Sequence, residues 1–390
     1  MHIPPGVTGF KTNHVCHLHK SIYGLKQAGR QWYTKLSSTL LSLGYKQSQH
    51  DHSLFTKMHN STLTVLLIYV DDLILAGTNY AEIQSVKGHL HDLFKIKDLG
   101  PLKYFLGLEI ARSQQGIFLS QRKYTLDILS DTGFLASKPC VTPMIRTSRL
   151  HQADGEPYSD PKLYRRLVGR LLYLTNTRPD ISFAVQQLSQ FMASPTNTHF
   201  KAMTRVLRYL KLSPGQGLFY PSSSSLQFKA FSDSDWGACQ DTRKSITGYC
   251  VFLGDSLISW RAKKQQTVAR SSSEAEYRAL AATSCELQWL TYLITSFLPH
   301  ITPSLLFCDN ASACHIANNN VFHERTKHIE IDCHIVREKL QQKLFHLLPI
   351  SSKEQYADIL TKPLDPQPFH YLLSKLGTLP ISLALFEGGY

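Results

Sequence analysis

Residues 62–77, TLTVLLIYVDDLILAG, constrain what this chain can fold into more than any other stretch. Two short apolar runs rich in Val, Ile and Leu meet at Asp71-Asp72. Runs of this kind joined by a tight polar turn make a β-hairpin. A surface hairpin alternates polar and apolar residues, whereas this one is apolar almost throughout, as expected of a core strand pair. Two carboxylates at its tip repel each other unless a cation sits between them. A solvated turn is the plain alternative, since Asp-Asp is common in turns. Tyr69 and Val70 before the pair and the aliphatic run after it favour a core hairpin over that turn, and leave a metal role for Asp71-Asp72 open.

Charge divides the chain. Residues 1–225 hold 26 Lys and Arg against 13 Asp and Glu, and residues 226–390 hold 16 against 16, so the whole net charge of +13 lies in the first part. A basic surface of this kind suits a phosphate backbone, bound without sequence preference and weakened by salt. The eight cysteines (16, 140, 239, 250, 285, 308, 314, 333) contain no CxxC pair. That suits reduced thiols in a cytoplasmic or nuclear compartment rather than a disulfide scaffold. The longest apolar run, about Val65–Val70, falls far short of the ~18 residues of a membrane span. The start, Met1-His2-Ile3-Pro4-Pro5, lacks the order of a signal peptide.

Along the chain, Ala28–Leu43 shows helical spacing (Trp32, Leu36, Leu40, Leu43) with Gly44 as a stop. Gly24-Leu25-Lys26-Gln27 places a flexible glycine, a cation and an amide at the helix entrance, either an ordinary glycine turn with a solvated lysine or a seat for a triphosphate and a template base. Residues 81–94 are amphipathic, and PLKYFLGLEIAR with GIFLSQ reads as a second strand pair. In 164–211, Leu167, Leu171, Leu172 and Leu174 line one side of a helix, with Arg165, Arg166 and Arg170 between them. Such arginines suit either a duplex backbone or a solvated face. Residues 213–226, SPGQGLFYPSSSSL, read as a linker.

Past that stretch, LQFKAF, ITGYCVFL and Leu257–Arg261 read as three strands, followed by the helix EAEYRALAATSCELQWLTYLI. A strand at Ser304–Cys308, the helix ASACHIA, a strand at Leu344–Ile350 and a last helix in SSKEQYADILTKPL complete the order. This is the element order of the ribonuclease H fold. Asp233, Glu276, Asp309 and Asp358 fall at the strand ends and helix starts where four carboxylates can converge on two divalent ions about 3.5–4 Å apart. Two choices stay open: Glu274 against Glu276, and Asp332 against Asp358. Cys308, Cys314, His315, His323, His328, Cys333 and His334 lack a cysteine pair at zinc spacing and read as no zinc site.

The motifs SIYGLKQAGRQW, YVDD with LILAG, the DLG-to-YFLG segment, FSDSDW, TGYCVFLG, SSSEAEYRAL, LFCDNASA, RTKHIEIDCH and ADILTKPL resemble the Pol polyprotein of copia-type LTR retrotransposons. The resemblance covers the C-terminal part of its reverse transcriptase plus its RNase H. It implies an α/β chain: an α+β palm with the YVDD hairpin, a helical connection, then an RNase H-like mixed five-stranded sheet with helices. The expected divisions are 1–145 for a truncated palm and thumb, 146–212 for the connection, 213–226 for the linker, 227–365 for RNase H and 366–390 for a tail. It implies that Lys26, Gln27, Arg30 and Tyr69 bind nucleotide and template beside the metal ligands Asp71 and Asp72. It assigns two Mg²⁺ (or Mn²⁺) per active site, and Asp233, Glu276, Asp309 and Asp358 as the hydrolytic ligands. Trp260 with Arg261, Lys263 and Lys264 reads as an aromatic-and-cation contact to an RNA–DNA hybrid. Implied partners are the hybrid, an RNA template with DNA primer and other Pol segments; implied locations are a cytoplasmic virus-like particle, the nucleus, or both. Fingers and the first polymerase Asp belong upstream of a segment like residues 1–6, so the polymerase site is expected to be incomplete and the hydrolytic site whole. Ser351-Ser352-Lys353 stand where cellular RNases H carry a mobile His, which implies slower turnover. The alternative is a non-catalytic nucleic-acid-binding remnant of a decayed retroelement.

Overall fold

The computed structural model describes residues 2–380 apart from positions 10, 12, 13, 23, 60, 299, 300 and 320–328. It holds two compact units, residues 1–100 with 292–299, and 101–291 with 300–390.

In the first unit, α1 (Ala28–Ser42) buries Leu36, Thr39 and Leu40 along one stripe. An antiparallel sheet follows in chain order: β1 (Lys46–Gln47), β2 (Leu54–His59), β3 (Thr62–Tyr69) and β4 (Asp72–Gly77). Helix α2 (Tyr80–Phe94) starts where the Asn79 side chain accepts the Glu82 N–H at 3.2 Å. Leu36, Leu40, Phe55, Leu66, Ile68 and Leu90 make the core. The hairpin forms where expected, with Tyr69 opposite Asp72. It is covered on one face only: β3 alternates buried and half-buried residues, and the edge strand β4 buries none of its residues fully. Continuous apolar sequence reflected an edge position beside a single layer of helices, not burial on both faces.

The second unit opens with β5 (Tyr104–Phe105), β6 (Leu108–Ser113) and β7 (Gly116–Ser120), then α3 (Arg122–Asp131), α4 (Pro161–Leu174), α5 (Ser182–Ser189) and α6 (Asn197–Leu212). Helix α4 carries Pro161 at its first turn and an Asp160 cap. It buries Leu167, Leu171 and Leu174, while Leu172 is exposed, contrary to the spacing-based expectation. The stretch read as a linker contains β8 (Gln216–Pro221), which pairs with β7 on one side and with β14 (Thr378–Pro380), inside the expected tail, on the other. Its glycine has a structural cause: a Cβ on Gly217 would lie 2.1 Å from the Leu119 carbonyl oxygen.

The second sheet of this unit is formed by β9 (Phe228–Ser234), β10 (Ile246–Leu253), β11 (Ser256–Lys264), β12 (Ser304–Cys308) and β13 (Phe345–Pro349), in the order β11-β10-β9-β12-β13. The first three strands are antiparallel, and β12 and β13 join in parallel. Helices α7 (Ser272–Thr295), α8 (Ala311–Asn318), α9 (Glu330–Gln341), α10 (Asp358–Thr361) and α11 (Pro366–Lys375) complete the unit; α9 and α11 were not anticipated. Sheet residues Phe231, Ile246, Cys250 and Phe252 share one core with Leu167, Leu171 and Met203 from the helices and with Phe369 and Leu372 from α11. The helical segment and the mixed sheet are therefore packed together rather than joined by a free tether. No described helix is long and apolar enough to cross a membrane.

Candidate active site

Asp233 of β9, Glu276 of α7, Asp309 just past β12 and Asp358 of α10 lie near enough to act on one another's charge at the C-terminal ends of β9 and β12. Strand β9 runs past Phe231, so that Asp233 sits inside the ladder opposite Gly248. Successive side chains on a strand point to opposite faces. The Ser232 hydroxyl faces α7, where Thr283 donates to it at 3.1 Å, and Asp233 faces α10, where Thr361 Oγ1 donates to its Oδ2. Gly248 makes the second contact possible: a Cβ there would lie 2.5 Å from Thr361 Cγ2 and 3.0 Å from Leu360 Cβ. The missing side chain lets one turn of helix press onto β10 and bring Asp358 to the sheet.

Glu276, in the first turns of α7, is 7% exposed, and its Oε2 has no hydrogen-bond partner among the described residues. Burial, with the negative charges of Asp233 and Asp309, pushes its carboxyl up to about 10. Glu274 turns elsewhere: it accepts the Arg270 N–H at 2.7 Å and pairs with Arg278 at 2.8 Å. Asp309, just past β12, accepts from Ser352 Oγ at 2.7 Å, which places the expected serine loop directly against a carboxylate. Burial, and then Asp233, raises Asp358 to about 7. Asp332, on α9, has Arg278 and Glu274 as the charged neighbours that act on it. Lys362 completes the cluster, its Nζ 2.9 Å from Asp358 Oδ1 and 3.6 Å from Asp233 Oδ2. Burial works against this ammonium, yet Asp233 and Asp358 hold its pKa above the ordinary value.

The raised pKa values of Glu276 and Asp358, each with neighbouring carboxylates among the causes, mean that the negative charge here is undercompensated. Hard carboxylate oxygens, one of them buried and unpartnered, fit Mg²⁺ or Mn²⁺. Ligand atoms of Glu276, Cys308 and Asp309 all lie within 4.8 Å of one another, the one group of three such residues among those described. Neither Asp233, Asp358, Cys314, His315, Cys333 nor His334 joins it, and His323 and His328 lie outside the described residues.

The hairpin tip differs. Asp71 and Asp72 are exposed, and no third potential ligand joins them among the described residues. Val70 takes φ +52°, a left-handed conformation that strains a β-branched residue. Its carbonyl accepts the Trp32 indole N–H at 3.2 Å, which ties α1 to the tip. Lys26, Gln27 and Arg30 are exposed at the start of α1, and Tyr69 is exposed beside the turn.

The expected hybrid contact is split by strand alternation. Trp260 donates to the Thr175 carbonyl at 3.1 Å, and the Lys264 ammonium donates to Gln190 Oε1 at 2.8 Å, both toward the helices. Arg261 and Lys263 lie on the other face and are exposed. Trp260, Arg261 and Ala262 line a cavity of about 370 Å³ with Thr175, Gln186 and Ser189. Arg170 pairs with Asp131 at 2.7 Å and Arg165 donates to the Met192 carbonyl at 3.3 Å, so protein groups occupy two of the three helix arginines. Sequence reasoning missed Thr361, Gly248 and Lys362. Only Lys362 carried a signal, four residues after Asp358 and so on the same side of a helical turn.

A family model described as reverse transcriptase (RNA-dependent DNA polymerase) matches residues 1–146. The chain is 43% identical over 376 residues to a retrovirus-related Pol polyprotein from transposon RE1 of Arabidopsis thaliana, covering 96% of this chain and 26% of that protein. It is 47% identical over 224 residues to an uncharacterized mitochondrial protein of Arabidopsis thaliana, covering 57% of this chain and 93% of that protein. Among solved structures, the foamy viral protease-reverse transcriptase in complex with an RNA/DNA hybrid aligns at TM-score 0.47 and 10% identity, covering 85% of this chain and 39% of that one. The chain thus spans about a quarter of the length of the Pol polyprotein it matches.

Proposed function

The chain belongs to the copia-type retrotransposon Pol family, as a reverse transcriptase–RNase H portion, and from that premise we propose that it hydrolyses the RNA strand of RNA–DNA hybrids at the Asp233, Glu276, Asp309 and Asp358 cluster. The observation that carries this reading is the convergence of four carboxylates from separate elements on one undercompensated pocket. Two Mg²⁺ or Mn²⁺ ions held by these residues would supply activation of a water and stabilisation of the leaving 3′ oxygen. The protein's own part is positioning. Thr361 fixes one oxygen of Asp233, Ser352 fixes one of Asp309, and the Gly248 notch sets the depth of α10. The excess positive charge of residues 1–225 supports a polyanionic substrate.

For the hairpin we infer a palm in the parent polymerase, with Asp71 and Asp72 as metal ligands and Lys26, Gln27, Arg30 and Tyr69 toward nucleotide and template. The open tip with two carboxylates favours a second reading for this part alone: a nucleic-acid-binding surface without chemistry of its own. Arg261 and Lys263 are its counterparts for the hybrid, the exposed pair among the four proposed contacts.

The test uses labelled RNA–DNA hybrid with Mg²⁺. Cleavage by the wild-type chain that disappears in Asp309→Asn supports the reading, while salt-sensitive binding without cleavage refutes it. Primer extension that depends on Asp71 would overturn the reading of the hairpin as a surface without chemistry.

A further inference from the structure

Lys362 is not needed to describe hydrolysis by four carboxylates, yet its ammonium sits among them. Its Nζ bridges Asp358 Oδ1 at 2.9 Å and Asp233 Oδ2 at 3.6 Å, while the side chain remains 40% exposed. The opposite side of the cluster has no such partner: Glu276 Oε2 is buried with no hydrogen-bond partner among the described residues, and Asp309 is held by the neutral Ser352. A divalent ion on a carboxylate oxygen lies about 2.0–2.6 Å from it. An ion on Asp233 Oδ2 would therefore share that oxygen with a like charge, and like charges at such separation repel strongly in a buried site. At the Glu276–Asp309 side, which the ammonium influences without a direct ion pair among the described residues, the penalty is smaller.

We propose that Lys362 is a resident counter-ion of the cluster: in the metal-free chain it holds Asp233 and Asp358, and a divalent ion binding those residues displaces its ammonium. The two sides of the site then load unequally, and Lys362 sets the weaker affinity. The exposed position of the lysine gives the displaced ammonium a path to water, and Asp358, four residues earlier on the same turn, holds it ready to return when the ion leaves. This inference rests on the metal-binding reading of the cluster given above.

The test counts Mn²⁺ bound to the full chain by electron paramagnetic resonance of the free ion, for wild type, Lys362→Met, Lys362→Arg and Asp233→Asn. Lys362→Met is expected to tighten the weaker binding about tenfold, and Lys362→Arg, which keeps the charge, to stay within about twofold of wild type. Weaker or unchanged binding in Lys362→Met overturns the inference. A second measurement avoids dependence on a folded variant. In the wild-type chain, acetylation of Lys362 by an amine-reactive ester, read by peptide mass spectrometry, should rise several-fold when Mn²⁺ saturates the site; an unchanged or lower rate overturns the inference. Mn²⁺ binding that Asp233→Asn abolishes while Lys362→Met leaves it untouched refutes the role of Lys362 alone. Binding indifferent to Asp233→Asn refutes the metal site and the inference with it.

Discussion

Replacing Gly248 by Ala tests how the fourth carboxylate is delivered. The added Cβ would meet Thr361 Cγ2 at 2.5 Å, Leu360 Cβ at 3.0 Å and the Ala357 carbonyl at 3.2 Å, all on the segment that carries Asp358. Replacing a strand glycine by alanine recovers about 0.5–1 kcal/mol of backbone entropy. Overpacking a well-filled contact costs roughly 1–3 kcal/mol. Since one of the three contacts is closer than a Cβ tolerates and the other two are tight, the cost prevails and the net loss is about 1–2 kcal/mol. The effect on chemistry should be larger than the effect on stability, because a displacement near 1 Å of a catalytic group costs about 100-fold. The control is Gly217→Ala, whose Cβ would lie 2.1 Å from a backbone oxygen in the other sheet of the unit. That variant should lose at least as much stability while each folded molecule cleaves at the wild-type rate. Urea midpoints at constant slope give the stability change, and initial rates of hybrid cleavage, corrected for folded fraction, give the catalytic change. Equal losses of rate in both variants, or no loss in Gly248→Ala, would refute the delivery argument.

Three further outcomes follow from features outside the cluster. Arg178 is fully buried and paired with Asp180 at 2.8 Å, and Asp180 also accepts from Tyr209 at 2.6 Å. Arg178→Met strands the Asp180 charge and should cost about 3–5 kcal/mol in urea unfolding. Buried His199 accepts the Thr196 N–H at 3.0 Å in the capping box of α6, and burial lowers its pKa. A histidine lowered in the folded state contributes stability that is fully present above about pH 6.5 and is lost as pH falls through the folded value. Between pH 7 and 5.5 wild type should therefore lose more thermal stability than His199→Gln, which keeps a capping side chain without titrating there. Val70→Asn should relieve the positive φ at the hairpin turn and stabilise it by about 1 kcal/mol, read as slower hydrogen exchange of the β3 and β4 amides.

Legibility in the sequence followed a physical pattern. The hairpin and α7 were readable because local periodicity and caps dictate them, and Asp233 and Asp309 fall at the ends of strands read from the same periodicity. Single-sidedness of the hairpin was not readable, since an edge strand beside helices is as apolar as a central one. Residues 213–226 misled because a glycine that admits a neighbouring backbone, as Gly217 does beneath Leu119, has the same composition as a flexible tether. The choice of Glu276 over Glu274 required the turn of a helix relative to a sheet: two residues apart, one meets Asp233 and the other meets Arg278. Trp260 and Lys264 looked like a nucleic-acid contact because sequence does not report which face of β11 the helices cover.

Strand β8 has a consequence for how such a chain can be cut. It is stitched between β7 and β14, so scission anywhere in 216–221 frees neither flank. The two pieces stay clasped by ladder hydrogen bonds and a common apolar interior, and a clone begun at residue 227 would bare Phe231 and Phe252 where Leu167 and Met203 had lain within one core. The half that carries Asp233 and Asp309 is thus a tenant of its neighbour's walls, separable on a map of the sequence but not in water.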